Sequence, residues 1–267
     1  MSAAKNKMKS AAKRFRRATT LTAVASAAMA VALTGCTKVD TSAPSSVRKD
    51  GAALSAKDQG TFGTADCRKS KCVALTFDAG PSENSPRLLD ILKKEKVPAT
   101  FFLLGKNHIA EHPELVKRME AEGHEVASHT WSHKILTDVT PEEARRELRR
   151  TDEAIEKLIG HKPTLMRPPQ GRTNPDVNKL TREEGLSEVL WSVTAKDYTT
   201  DDSDLIQKRV IDQTQRDGII LLHDIYKGTV PAVPGIIAEL KKRGYVFVTV
   251  PQLLAPGKAE PGKVYRP

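Results

Sequence analysis

Aromatic residues make up only 4% of this 267-residue chain, cysteines number three, and the first 35 positions contain no acidic residue at all. Each shortage excludes something. Hydrophobic residues still reach 39%, enough for a folded core despite the few rings. The pair Cys67 and Cys72 has no further Cys or His close by in sequence, so the spacing does not make a zinc site. No Gly-rich dinucleotide loop follows any apolar run, which removes the main support for an open doubly wound sheet. The formal charge of +10 invites a nucleic-acid partner, but its distribution argues against one. Residues 1–35 hold Lys5, Lys7, Lys9, Lys13, Arg14, Arg16 and Arg17, seven of the ten surplus positive charges. The remaining +3 is no nucleic-acid footprint.

The basic start has the three parts of an export signal. Charge ends at Arg17, an uncharged Ala-rich stretch runs from Ala18 to Val31, and Leu33-Thr34-Gly35-Cys36 follows. Those four residues resemble the bacterial lipobox, in which the cysteine receives lipid. The reading is therefore a lipoprotein signal peptide over residues 1–35, with Cys36 lipidated and the rest on the outer face of the cytoplasmic membrane. An uncleaved anchor is the alternative, although small residues make a poor one. Arg16-Arg17 leaves a twin-arginine route open. Outside the cytoplasm, Cys67 and Cys72 are expected to close a short disulfide loop.

Residues 36–66 are rich in Ser, Ala, Thr, Lys, Asp and Gly without an apolar period, and read as a flexible tether. From Cys67 to about residue 255, short apolar runs alternate with amphipathic ones. Strands are expected at Val73–Phe77, Ala99–Leu103, Glu125–Ala127, Thr164–Met166, Ser187–Val193, Ile219–Leu222 and Val246–Val250. Helices are expected between them, the clearest opening at Thr140-Pro141-Glu142-Glu143 with an N-cap, a first-turn proline and a capping-box Glu. Alternation of this kind implies parallel pairing and right-handed crossovers, and the length suits one distorted (β/α)7 barrel. Residues 256–267 read as a loose tail.

The reactive residues fall where such a barrel places its chemistry. Asp78 follows the first strand, His129 and His133 the third, Arg167 the fourth, Asp197 the fifth and His223 the sixth, all at C-terminal strand ends. His129 and His133, spaced His-x-x-x-His, can bind one divalent cation as neutral imidazoles. Asp78, on the turn made by Gly80-Pro81, can take a proton from water. His223 can protonate a departing amine, with the preceding leucines lining a methyl-sized pocket. Arg167 offers a fixed cation, and the backbone N–H of Gln170 an oxyanion donor. For each of these residues a bland role stays open: helix cap, core histidine or structural turn.

Taken in order, these segments resemble the polysaccharide deacetylases with a NodB-homology domain, carbohydrate esterase family 4. The likeness spans about residues 70–255. Thr76–Gly80 is similar to the family's first motif, Ser128–His133 to the second and Arg167–Gly171 to the third. Trp191 through Asp197 and Tyr198 are similar to the looser fourth, and Leu221-Leu222-His223 to the fifth. The resemblance implies that Asp78 is the base, oriented by Arg167, and that His129 and His133 hold zinc or a similar divalent metal. It implies that His223 is the acid tuned by Asp197, and that Gln170, Trp191 and Leu222 contact substrate.

Two positions depart from the pattern. Ala79 stands where the family carries a second Asp as third metal ligand, leaving Glu83, water or nothing to fill that place. Gln170 stands where Tyr is common. The expected protein is a monomeric deacetylase of an acetylated glycan, peptidoglycan or a chitin-like polymer, tethered to the membrane. An O-acetyl esterase, an amidase on a non-sugar substrate, and a silent glycan-binding lipoprotein are the competing readings.

Overall fold

The computed structural model describes residues 39–49 and 65–267. The expected signal peptide of residues 1–35, the expected lipidation site Cys36 and residues 37, 38 and 50–64 of the expected tether lie outside the described residues.

Strand β1 (Thr41–Ser42) and helix α1 (Pro44–Lys49) precede the repeating part of the chain. There follow β2 (Lys71–Gly80), α2 (Ser85–Glu95), β3 (Thr100–Leu103), α3 (Pro113–Ala121), β4 (Glu125–Ser128), α4 (Pro141–Ile159), β5 (Leu165–Met166) and α5 (Pro175–Glu183). The last part comprises β6 (Ser187–Val189), β7 (Val193–Thr194), α6 (Ser203–Gln213), β8 (Gly218–Leu222), α7 (Thr229–Lys242), β9 (Tyr245–Val248), α8 (Val250–Leu254) and β10 (Val264–Tyr265). Every strand pairing is parallel. The sheet runs β1-β10-β6-β5-β4-β3-β2-β8-β7, with β9 on β2. It is the distorted, unclosed form of the (β/α) barrel that the alternation of elements implies.

Capping chemistry fixes the helix starts. Thr140 Oγ1 accepts from Glu143 N–H at 3.3 Å, Asn174 Oδ1 from Val177 N–H at 2.9 Å, and Asp202 Oδ1 from Leu205 N–H at 3.0 Å. Each satisfies a donor that the first helical turn leaves free. Helix α4 ends on Gly160 at φ 86°, a left-handed cap that costs glycine nothing. Helix α8, absent from the sequence expectation, starts on a capping box between Thr249 and Gln252.

Strand alternation then decides what faces the site. Along β2, Val73, Leu75 and Phe77 pack outward against helix residues such as Leu88, Leu92 and Ile236. Cys72 and Ala74 point the other way, into the barrel interior with Phe102, Leu165 and Ile219. The same period of two turns Thr76 and Asp78 inward. On β8 it turns Ile219 and Leu221 inward and buries Ile220 and Leu222 under the helices.

Three boundaries differ from expectation. The strand foreseen over Ser187–Val193 is two strands, broken at residues 190–192, where the pairing passes from β10 and β5 to β8. The tail foreseen over 256–267 contributes β10, whose Tyr265 is 2% exposed and sits between β6 and β1. Part of the expected tether is docked: β1 pairs with β10, and Arg48 of α1 binds Asp217 Oδ2 at 2.5 Å and the Leu253 carbonyl at 2.7 Å. Low apolar content concealed this segment, because backbone pairing and one buried ion pair hold it in place of a hydrophobic stripe. Cys67 and Cys72 are joined by the expected disulfide.

Candidate active site

A cavity of about 740 Å³ opens at the C-terminal strand ends. Its polar lining includes Asp78, His129, His133, Gln170 and His223, so four chain segments far apart in sequence meet there, joined by the hydroxyls of Thr194, Tyr198 and Tyr226. Four non-glycine residues in or beside it carry positive φ: Ala79 (64°), Thr130 (73°), His133 (61°) and Gln170 (58°). A β-branched threonine in that region is an outlier, and such strain gathers where function fixes the backbone.

Asp78 leaves β2 with 2% of its surface exposed. Arg167, fully buried behind it, donates to Asp78 Oδ1 at 2.6 Å and to Thr76 Oγ1 at 2.8 Å through one nitrogen. Its Nε–H donates to the Val189 carbonyl at 3.0 Å, and the guanidinium lies 4.1 Å over the Phe102 ring. Arg167 does not line the cavity. It fixes the carboxylate and leaves Oδ2 toward His129, whose Nε2 is 3.9 Å away.

His129 is turned by a second hydrogen bond. A carbonyl can only accept, so the 2.8 Å contact between its Nδ1 and Arg167 O makes Nδ1 the donor and leaves the Nε2 lone pair facing the cavity. Burial holds its pKa down to about 4. His133 is more open, its ring centroid 5.0 Å from that of His129, and burial lowers its pKa too. Both imidazoles are thus neutral near pH 7, the form that ligates metal.

Ala79 lines the cavity beside them, and a methyl group has no donor atom. Glu83 is exposed and outside the cavity lining. Among the described residues no group of three or more Cys, His, Asp or Glu forms a metal cluster. The donor set therefore fits a divalent cation through two imidazoles only, with the third protein position open.

His223 stands across the cavity. Its Nδ1–H donates to Asp197 Oδ1 at 2.9 Å, and its backbone N–H donates to Asp197 Oδ2 at 2.7 Å. Thr229 Oγ1–H donates to the same Oδ2 at 2.8 Å. Burial works to lower the His223 pKa, but the hydrogen bond and charge of Asp197, aided by Asp78, outweigh it, and the net shift is upward. Asp197 itself is 2% exposed and reaches the cavity only through His223.

Of the expected substrate contacts, Gln170 and Trp191 line the cavity and Leu222 does not. Leu222 is fully buried against the helices, and its neighbour Leu221 takes the place. The strand period gives the reason: only odd-numbered residues of β8 face inward. Leu104, Ile225 and Tyr226 also line the cavity, and none was foreseen. Tyr226 sits on the turn after His223, with ring centroids 5.4 Å apart. An aromatic three residues beyond a reactive strand end was the available signal for it.

The geometry agrees with what is seen when the chain is compared with known proteins. Residues 65–189 match the family described as polysaccharide deacetylase. Peptidoglycan-N-acetylglucosamine deacetylase PgdA of Listeria monocytogenes is 39% identical over 199 residues, 74% of this chain and 42% of that protein. This chain therefore spans less than half the length of that relative. The chitooligosaccharide deacetylase of a Bradyrhizobium species is 36% identical, over 70% of this chain and 93% of its own. Among solved structures, T48 deacetylase with substrate superposes with a TM-score of 0.72 at 42% identity, covering 76% of this chain and 100% of that one.

Proposed function

Since the chain belongs to the polysaccharide deacetylase family, we propose that it hydrolyses the acetamide of N-acetylated sugars in peptidoglycan or a chitin-like glycan. One observation carries this reading. A buried carboxylate braced by Arg167 and an imidazole braced by Asp197 line a single cavity, with an imidazole pair beside the carboxylate.

The chemistry follows from which atoms are already engaged. Asp78 Oδ1 is held by Arg167, so Oδ2 takes the proton of the attacking water. The water oxygen bonds to the acetyl carbon, and the carbonyl oxygen gains negative charge beside the backbone N–H of Gln170, presented by a residue at φ 58°. His223, its Nδ1–H held by Asp197, gives the proton on Nε2 to the sugar nitrogen as the carbon–nitrogen bond breaks. Acetate and a free amine leave. Leu221 and Trp191 wall the space beside these groups and keep bulk water from it. A divalent cation on His129 and His133, assigned as zinc, would polarise the acetyl carbonyl and acidify the water.

Substrate class follows from placement as well. With Cys36 lipidated after removal of residues 1–35, the chain works on the outer face of the cytoplasmic membrane, where peptidoglycan is the first acetylated polymer within reach. A monomer is sufficient, since all the groups invoked come from one chain. Ala79 favours one competing reading, a glycan-binding protein without turnover.

The test is the product. Incubation with peptidoglycan fragments and with chitooligosaccharide, with and without chelator, is expected to yield acetate together with new primary amines on the sugar, less so after chelation. Acetate without amine would identify an O-acetyl esterase, and neither product from any acetylated glycan would leave only binding.

A further inference from the structure

In a parallel barrel the C-terminal strand ends carry the site and the N-terminal ends form the opposite face. On that opposite face, around the starts of β2, β8 and β9, charge is strongly one-sided. Arg68, Lys69, Lys71, Arg216, Lys242 and Arg243 are all exposed there. Contacts show that they are neighbours. Arg216 donates to the carbonyls of Cys67 and Arg68 at 2.8 Å, and Lys71 lies 4.0 Å over the Tyr245 ring and reaches the Arg243 carbonyl.

Asp66 pairs with Arg68, Glu239 with Arg243 and, at 4.0 Å, with Lys242, and Asp217, which Arg48 neutralises, lies 4.0 Å from Arg216. The adjoining Lys208–Asp212, Lys241–Glu95 and Arg48–Asp217 pairs are neutral. The surplus of four exceeds the +3 carried by all of residues 36–267, so the rest of that stretch is net acidic.

Strand β1 and helix α1 tie the earliest described residues to this part of the fold. β1 runs parallel to β10, which is parallel to β6, with Thr41 level with Val264 and Glu188. Residues 39 and 40 therefore lie on the N-terminal side of β1. Arg48, by binding Asp217 just before β8, fastens the segment beside the basic cluster. Thr41 is five residue steps from Cys36, a length of chain that can span at most roughly 17 Å.

We propose that this basic face is a docking surface for an anionic phospholipid bilayer, and that it turns the catalytic cavity away from the membrane toward the wall polymer. The inference rests on Cys36 being the lipid anchor only for the orientation; the attraction of the face to lipid stands without it. Asp78 stands seven residue steps beyond Lys71 along β2, so the carboxylate is held about 23 Å above the lipid-facing end. Each basic side chain near an anionic surface strengthens binding about fivefold, within a Debye length of about 8 Å at physiological salt.

The measurement is co-sedimentation with vesicles. Residues 37–267 form a compact unit of their own and carry every element described above, so the chain starting at residue 37, without leader or lipid, is the probe. It is expected to sediment with phosphatidylglycerol-containing vesicles, to be released by high salt, and to ignore pure phosphatidylcholine. Lys69→Glu with Lys242→Glu removes the surplus and should weaken sedimentation at least about tenfold, while acetate release from soluble chitooligosaccharide stays unchanged. No sedimentation with anionic vesicles, sedimentation indifferent to the double substitution, or retention by an anionic wall polymer but not by vesicles would each overturn the proposal. The anchor is tested apart from this, by whether Cys36→Ser in the full chain releases the protein from cells.

Discussion

Asp197 holds His223 at two points, accepting from its ring Nδ1–H at 2.9 Å and from its backbone N–H at 2.7 Å. One carboxylate thus sets the orientation, the tautomer and the proton affinity of the group proposed to protonate the leaving amine.

A pH consequence follows. His223 acts while protonated, and its pKa is raised because Asp197 and Asp78 outweigh burial. Activity therefore falls as pH rises through that value. Asp197→Asn removes the charge that raises it, so the alkaline limb of kcat/KM should move to lower pH. A limb that stays in place would show that another group is the acid.

Arg167 is the second brace. Removing one partner of a buried ion pair leaves an uncompensated charge and costs about 3–5 kcal/mol. Arg167→Met should lower the unfolding free energy from denaturant titration by about that amount, with loss of turnover. Arg167→Lys keeps the charge but loses the fork that reaches Val189 and Thr76. It should recover much of the stability and little of the rate.

Two adjacent leucines should separate cleanly. Leu222→Ala empties space in the packed layer under the helices and should cost about 2–5 kcal/mol of stability, with KM little changed in the folded fraction. Leu221→Ala borders the cavity, so it should raise KM or lower kcat at a smaller stability cost. Unfolding curves run beside kinetics decide it.

Much of this was legible in the sequence, and the exceptions share a cause. Parallel alternation, capping residues and reactive strand ends are local signals, and they located six of the seven expected strands, the barrel, and both members of each braced pair. Which leucine faces the cavity depends on the phase of β8, which a four-residue apolar run does not reveal. The docked segment around Arg48 and the strand at Val264 are held by partners about 200 residues away, and no local pattern records such a contact. The break at residues 190–192 is likewise a change of pairing partner, invisible in a run, Ser187–Val193, that reads as one continuous strand.

Ala79 makes metal binding a quantity to measure. Its φ of 64° is one that Asp tolerates better than most residues, so Ala79→Asp should fold. It should tighten divalent-cation binding by calorimetry about tenfold or more, by supplying a third donor. His129→Ala should abolish binding in either background. Unchanged affinity in Ala79→Asp would mean that position 79 does not face the cation.

The central claim is that Asp78 activates water against an N-acetyl group. Acetate release from an N-acetylated glycan by the wild type beside Asp78→Asn, both with saturating divalent cation, tests it most directly. Steady release by the wild type and a loss of about 10²-fold or more in the variant is the predicted result. Equal rates, or no acetate from the wild type on any N-acetylated glycan, would contradict it.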